Sequence, residues 1–588
     1  MRLGFRNTLF AAALTALCCF TACSDDEDVP ELPGGNGNGS TEKPGGSGSG
    51  EIDATLPSDW SDWSAPTYKD DYTHTGDNLQ DWSSRAKWNL ANVHDPSVAY
   101  YNGYYYMYGT DASYGNVHEG HGHFQGKRSK DLINWEWVPG MFYNPPTWVK
   151  DTLNAIRGRM NLEPIENPTY GYWAPVVRVV DGKLRAYYCI VVDNYIKSGK
   201  QNTAGNYDGS WTERSIIGMC ETSDPSSTSN WEDKGYVITN STDLGRDGWA
   251  RKSQSNWEGY FYYNCIDPTY IETPEGNHWL IYGSWHSGFA AIEIDPATGK
   301  PFGQSTMPSP WFTSATELQQ HYGIRIATRT ANSRWQGSEA PEIIYKDGYY
   351  YLFMAYDGLD VPYNTRVVRS QNITGPYTDI TGRNCTNGRG DCFPIVTHPY
   401  KFKGNAGWVG ISHCCVFPWG GNAESGQWFY MSQGRLPQNA NGNAYANANM
   451  MGHVRRLVWV PKSASSLNDL WPVSLPERYA NVPNWTDVSD IKEADLVGTW
   501  EHINLNYQYG KQCASTELEL KADGTMSGAL SGSWSYDPAT QYLTLGNAIV
   551  KIERELDWEA TPRVATIVYA GYGNGNSANA TYWGKKIK

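Results

Sequence analysis

The chain carries almost no amphipathic helical periodicity, which excludes a predominantly helical fold. It also lacks a basic stripe. Its 47 Lys and Arg stand against 62 Asp and Glu, a net charge of −15. That balance argues against a nucleic-acid partner and suits a surface in water. Beyond the first twenty or so residues, no segment is long and apolar enough to span a membrane as a helix. Cysteine is modest once Cys18, Cys19 and Cys23 are set aside, and none of it has zinc-ligand spacing. Cys385 and Cys392 bracket a Gly-containing loop, a spacing open to a disulfide, whereas the adjacent Cys414 and Cys415 are poorly placed to bond each other.

What the chain has in excess is aromatic surface, with 26 Trp and 41 Tyr among 588 residues. Such residues serve both strand packing and stacking on sugars. Five times a polar residue and Gly open a bulky run: Asn102-Gly103, Asp181-Gly182, Glu275-Gly276, Asp347-Gly348 and Ser425-Gly426. Each phrase predicts a tight turn opening a strand. They recur roughly every 70–95 residues, longer than the ~40–50 of common propeller repeats, so the excess falls in loops. Upstream of the turns stand His94-Asp95-Pro96, Trp173-Ala174-Pro175, Ile266-Asp267-Pro268, Glu339-Ala340-Pro341 and Ser412-His413-Cys414. Five similar units would each bring one conspicuous residue to a common axis. The pattern predicts an all-β chain: a five-bladed β-propeller over 58–482, then a small barrel-like β-domain over 483–588. A β-sandwich with similar hairpins is the alternative.

Three of those five residues, Asp95, Asp267 and Glu339, are carboxylates. Glycosidic hydrolysis requires one carboxylic acid to protonate the leaving oxygen and another carboxylate to activate water. A third acid nearby raises the pKa of the donor by repulsion.

The N-terminus has the pattern of an export signal. Arg2 and Arg6 precede an apolar run, and Phe20-Thr21-Ala22-Cys23 resembles a bacterial lipoprotein signal. Residues 1–22 would then be signal peptide and Cys23 the lipidated residue of an outer-membrane, surface-exposed lipoprotein. Residues 23–57, rich in Gly, Ser, Asn, Pro and acid, would form a flexible stalk.

Taken together, His94-Asp95-Pro96-Ser97, Trp173-Ala174-Pro175, Ile266-Asp267-Pro268-Thr269, Tyr282-Gly283-Ser284-Trp285 with Gly288, and Glu339-Ala340-Pro341-Glu342-Ile343 resemble glycoside hydrolase family 43, most of all its endo-α-1,5-L-arabinanases. Leu496-Val497-Gly498-Thr499-Trp500-Glu501 resembles the opening of the C-terminal β-domain of the larger two-domain arabinanases. The resemblance implies an inverting hydrolase. Asp95 would be the general base, Asp267 would orient the acid and tune its pKa, and Glu339 would be the general acid. Inversion implies a base-to-acid separation of roughly 6.5–9.5 Å. Glu342, on the opposite face by strand alternation, would be structural. The resemblance also implies a Ca2+ held by His413 and several waters, although the flanks, Ser412 and Cys414, depart from the family's Gly-His-Asn.

His94, Trp173 and Ser284 are candidate substrate contacts, with core packing the alternative for Trp173 and a satisfied inner-strand role for His94. The run His118-Glu119-Gly120-His121-Gly122-His123 lacks the helical spacing of a metal motif and suits a groove-shaping loop. The expected substrate is plant cell-wall arabinan or its oligosaccharides, met by a monomer whose only membrane contact is its lipid. Two further readings are an exo-acting α-L-arabinofuranosidase or β-xylosidase, and a surface glycan-binding lipoprotein without activity. The C-terminal domain is expected to pack on the propeller rather than to bind glycan, since it has no clustered exposed aromatics.

Overall fold

Asn102 and Gly103 both adopt positive φ, as do Asp181 with Gly182 and Asp347 with Gly348. These are two-residue turns, and they join Tyr101 to Tyr104, Val180 to Lys183 and Lys346 to Tyr349 across antiparallel ladders. The other two phrases differ. Glu275-Gly276 lies in a five-residue connection between Glu272 and His278. Ser425-Gly426 ends a longer insertion between Pro418 and Trp428, stiffened by two 3-10 turns. The phrase marks the start of the second strand in all five cases and a tight turn in three.

The computed structural model describes residues 82–587 apart from 112–119, 160–162, 193–213, 241–262, 286–287, 304–313, 330–336, 387, 389, 443–445, 481–490, 561–563 and 574–579. The segments expected to be signal peptide and stalk, with Cys23, lie outside the described residues, as do His118 and Glu119.

Five antiparallel sheets follow one another along the chain. Their innermost strands are Ser97–Tyr101, Tyr170–Val180, Thr269–Glu272, Ser338–Lys346 and Cys415–Pro418. Four sheets are four-stranded in sequence order, while the third gains Ile324–Ala327 beside Phe289–Asp295. The ring closes where the segment before the first blade meets the fifth. Gly452 N donates to Leu90 O at 2.7 Å and Val93 N to Met450 O at 3.2 Å.

The blades are tied together at the axis by an ion pair between a part-buried Arg178 and a buried Glu342. Arg178 of blade 2 donates through Nη2 to both oxygens of Glu342 of blade 4, at 2.9 and 2.8 Å. Thr269 of blade 3 and the Val416 amide of blade 5 also donate to Glu342, at 2.8 and 3.1 Å. Ser97 of blade 1 accepts from Arg178 Nη1 at 3.4 Å and from the Val177 amide at 3.0 Å. Every blade therefore reaches this knot with a polar group from its inner strand.

Helix is scarce but not negligible. Thr147–Arg159 forms a helix that buries Val149, Leu153 and Ile156, an i, i+4, i+7 stripe within blade 1's outgoing connection. Three apolar positions in so short a stretch are too few to stand out among the surrounding aromatic strands.

The C-terminal domain is a closed eight-stranded barrel running from Gly498–Leu505 to Thr581–Lys586. It is not a free-standing module. Ile503, Leu505, Val568, Ala570 and Trp583 share one buried cluster with Tyr400, Trp408, Val460 and Trp471 of the propeller. Arg456 of blade 5 pairs with Glu553 of the barrel at 3.2 Å. Tyr572 and Thr581 donate from the barrel to the carbonyls of Pro472 and Ile395. This matches the packing role expected of the domain. A disulfide joins Cys385 to Cys392 in blade 4.

Candidate active site

Each of the five units carries a left-handed residue at the same place: Asp95 (φ 50°), Ala174 (36°), Asp267 (52°), Ala340 (54°) and His413 (53°). In blades 2 and 4 the ladder slips across this point, between Trp173 and Val176 and between Glu339 and Glu342. Positive φ in a non-glycine residue is uncommon, and such kinks re-aim neighbouring side chains. In blades 1, 3 and 5 the kinked residue is itself the polar one. In blades 2 and 4 it is Ala, and the conspicuous residue, Trp173 or Glu339, is the one before it. The slip also changes the reason for Glu342's place. Simple alternation would turn it away from Glu339, but the extra residue at the bulge lets both face the axis, where Glu342 is consumed by the five-blade knot.

The three carboxylates converge, each in a distinct setting. Asp95 is buried, with 9% of its surface exposed. Its Oδ1 lies 2.8 Å from His413 Nδ1 and 3.3 Å from His94 Nε2, and its Oδ2 accepts from Thr110 Oγ1 at 2.6 Å. Burial alone would raise its pKa. The charges of His413 and His94, with the hydrogen bonds from His413 and Thr110, outweigh burial and hold it below the ordinary carboxylate range. Asp95 is thus kept as an anion.

Asp267 is buried beside it, and its Oδ2 accepts the Ala340 amide at 3.1 Å. Burial first, then repulsion from Asp95, push its pKa up to about 6 against the pull of His413. Glu339 is pushed furthest, to about 8, by burial and then by the charge of Asp267. A hydrogen bond from Tyr363 and the charge of His413 oppose that rise without cancelling it. Glu339 is therefore a protonated acid at neutral pH, facing a permanently charged Asp95. A water between two such groups can lose a proton to one while a leaving oxygen gains one from the other.

His94 and Ser284 are both buried against these acids, and Ser284 Oγ is 3.4 Å from Glu339 Oε2. Ser284 is therefore engaged with Glu339 itself. Trp173 is part-buried against the core of blades 2 and 3. Its ring lies over Gly171, where a Cβ would come within 2.6 Å of the indole nitrogen. His121 and His123 face different partners: His121 stacks on Trp82 at 4.1 Å, while His123 Nδ1 meets Asp111 Oδ2 at 2.6 Å. Of the described residues of this run, His121 and His123 therefore do not share a ligand point.

His413 has its Nδ1 turned to Asp95, which leaves Nε2 as the ring's other donor atom. Asp95, Asp267 and Glu339 raise its pKa to about 9 against the effect of burial. Without a metal the ring is therefore protonated on both nitrogens at neutral pH, and a cation would have to displace the Nε2 proton, leaving Nδ1–H on Asp95 and the Nε2 lone pair on the ion. One imidazole nitrogen makes a thin shell for a hard ion, so water oxygens would have to supply the rest. The donor set fits a water-rich Ca2+ and no tighter site.

Sequence reasoning missed three residues around the acids. Thr110 bonds Asp95 and also accepts the Ala174 amide at 2.7 Å, linking blades 1 and 2. Gln433 Oε1 accepts the Asp95 amide at 2.9 Å. Tyr363 is buried and hydrogen-bonds Glu339. A signal existed for the first, because Tyr108-Gly109-Thr110 repeats Tyr282-Gly283-Ser284 at the equivalent corner of another blade. Tyr363 lies in a loop that repeats nowhere.

The profile of glycosyl hydrolases family 43 matches residues 90–411, and that of a C-terminal lipocalin-like domain of the same family matches 476–584. The chain is 26% identical over 551 residues to an extracellular endo-α-(1→5)-L-arabinanase of Thermotoga petrophila, covering 87% of this chain and 97% of that one. It is 23% identical to a second extracellular endo-α-(1→5)-L-arabinanase of Bacillus subtilis, over 75% of this chain and 82% of the relative. An extracellular exo-α-(1→5)-L-arabinofuranosidase of Cellvibrio japonicus is 29% identical over 50% of this chain and 69% of its own length. In fold, the chain superposes on the endo-1,5-α-L-arabinanase of Thermotoga petrophila with a TM-score of 0.59 at 23% identity, over 85% of this chain and 99% of that one. With the acids at the blade positions that its motifs foretold, and with the family profile spanning more than half its length, the chain belongs to glycosyl hydrolases family 43.

Proposed function

We propose that the protein is an inverting endo-hydrolase of α-1,5-L-arabinofuranosyl bonds in arabinan. The observation that carries this reading is the split in protonation within one axial pocket. Asp95 is held as the anion by His413 and His94, while Glu339 is held as the acid by burial and Asp267. Asp95 takes a proton from water, Glu339 delivers one to the leaving oxygen, and Asp267 keeps Glu339 protonated until that moment. Inversion follows when the two act from opposite sides of one sugar ring. The near-complete overlap with a two-domain endo-arabinanase supports the substrate.

His94 beside the base and the part-buried Trp173 would contact the sugar, with Ser284 acting on Glu339 rather than on substrate. His413 Nε2 would hold Ca2+ among waters. When bound, the ion would fix the ring's neutral form and strengthen its Nδ1 hydrogen bond to Asp95. Export with a lipid anchor at Cys23 would place the enzyme at the cell surface, in line with relatives described as extracellular.

The test is digestion of linear arabinan by the enzyme from residue 58 onward, with products resolved by length. A ladder of arabino-oligosaccharides with inverted anomeric configuration is expected. Arabinose alone would favour the exo-acting reading, which the Cellvibrio japonicus relative keeps in view. No cleavage of any arabinan would overturn both.

A further inference from the structure

Tyr363 reaches Glu339 from the loop between the second and third strands of blade 4, Tyr349–Tyr356 and Asn364–Ser370. The loop is held at both ends. Asp357 opens it in the left-handed region with φ 68°. Asn364 closes it by donating through Nδ2 to Asp357 Oδ2 at 3.1 Å and to the Pro362 carbonyl at 2.9 Å. Asp357 is in turn clamped by Arg329, whose Nη1 donates to Asp357 Oδ1 at 2.6 Å and whose Nε donates to Asp391 at 2.7 Å. Arg329 is 2% exposed, so this pairing is shielded from water and sensitive to its neighbours.

One of those neighbours comes from the other domain. Tyr507, between the barrel strand Gly498–Leu505 and the short strand Cys513–Ala514 that pairs with Tyr400–Lys401 of the propeller, places its hydroxyl 3.4 Å from Arg329 Nη2. Its ring faces two buried guanidiniums, with Arg366 Cζ 5.2 Å and Arg329 Cζ 5.7 Å from the ring centre. The barrel segment is fastened independently on either side of Tyr509. The Gln508 amide donates to His398 Nε2 at 3.2 Å, and Gln512 Nε2 donates to the carbonyls of Tyr400 and Ala406 at 2.9 and 3.0 Å. Tyr507 is thus presented by a loop fastened to the propeller, not by a loose end.

We propose that Tyr507, supplied by the C-terminal barrel, is a positioning residue for the proton donor of the propeller. It acts on Arg329, through Arg329 on Asp357, and through the loop that Asp357 anchors on Tyr363 and Glu339. The inference rests on the reading of Glu339 as general acid. It gives the barrel a part in the chemistry without any contact to substrate.

The test compares Tyr507→Ala, Tyr507→Phe, Gln512→Ala and Glu339→Ala on two substrates. One is linear arabinan, whose leaving alcohol needs a proton. The other is a 4-nitrophenyl arabino-oligosaccharide, whose leaving group barely does. Tyr507→Ala is expected to lower kcat on arabinan about tenfold, with KM within about twofold, and to cost less than about threefold on the nitrophenyl substrate. Tyr507→Phe keeps the ring over both guanidiniums and should recover most of that loss. Gln512→Ala loosens the same interface away from Arg329, so it should lower Tm without changing the ratio between substrates. If Tyr507→Ala merely lowers Tm and leaves the ratio unchanged, the inference fails while Glu339 keeps its role. If Glu339→Ala itself loses equally on both substrates, the acid assignment fails and the inference with it. Should Tyr507→Ala not fold, Tyr507→Leu, with volume but no π face, is read the same way.

Discussion

Replacing Glu339 by Gln should stabilise the protein, and only above the pH at which a free glutamate ionises. Burial and the Asp267 charge raise the pKa of Glu339 from 4.5 to about 8 in the folded state. Between those values the folded protein holds a proton that the unfolded chain has released. Stability therefore falls as pH rises from about 4.5 to about 8, and the loss is complete above 8. The full shift corresponds to ~5 kcal/mol at 1.36 kcal/mol per unit. Glu339 and Asp267 share their repulsion, so the part that Glu339→Gln can recover is about half, ~2–3 kcal/mol. Gln keeps the shape and a hydrogen-bonding end for Tyr363 and Ser284. Unfolding entropy for a chain of this length is about 1 kcal/mol per kelvin, so Tm at pH 9 should rise by ~2–3 °C. At pH 4 the two proteins should melt together, because both states of the wild type are then protonated. Paired thermal melts of chelator-treated protein from pH 4 to 9 measure the difference. An offset that is the same at every pH, or a less stable variant at pH 9, would refute the reasoning.

Activity should follow a bell. The basic limb falls near pH 8 as Glu339 loses its proton, and the acid limb near pH 6 as Asp267 gains one, since Asp95 keeps its charge far lower. A pH profile of kcat/KM on linear arabinan checks both limbs, and Asp267→Asn, a mimic of the protonated side chain, should be weakly active throughout, without an acid limb near pH 6 and with its basic limb moved below that of the wild type. Glu342→Ala leaves the part-buried Arg178 guanidinium without its carboxylate and should cost about 2–3 kcal/mol in denaturant unfolding, below the range for a fully buried pair. Loss of activity without loss of stability would instead make Glu342 part of the chemistry. His413→Ala should lower activity and abolish its dependence on Ca2+ together. Full activity in the metal-stripped wild type would remove the ion from the mechanism.

The parts of this structure that were legible in the sequence are those set by neighbours along the chain. Asn102-Gly103 and Asp347-Gly348 specify their turns within two residues, because both positions need positive φ. Asp95-Pro96 and Asp267-Pro268 announced themselves by recurring ahead of those turns. The knot of Arg178 with Glu342 was half legible: Glu342 stood out in its motif as structural, but Arg178, 164 positions away, has nothing local to mark it as the partner. The same holds for Tyr363 and Tyr507, whose importance lies in what they touch. The bulge at Ala340 hid in plain view, since a slip in register changes which face Glu342 takes without altering the residue pattern.

The circular closure of the propeller bears on how the protein reaches its working state. The amide of Asp95 is bonded to Gln433, a residue synthesised 338 positions later. Until the last blade docks, Asp95 has neither Gln433 nor His413, and its carboxylate faces solvent with an ordinary affinity for protons. Contacts of such long sequence separation form late and slowly. The five-blade knot, the lowered pKa of Asp95 and the full rise in the pKa of Glu339 must then arise together, in the step that joins Leu90 to Gly452. No half-made ring should show even weak hydrolysis, and ring closure should be visible as net proton exchange with the medium.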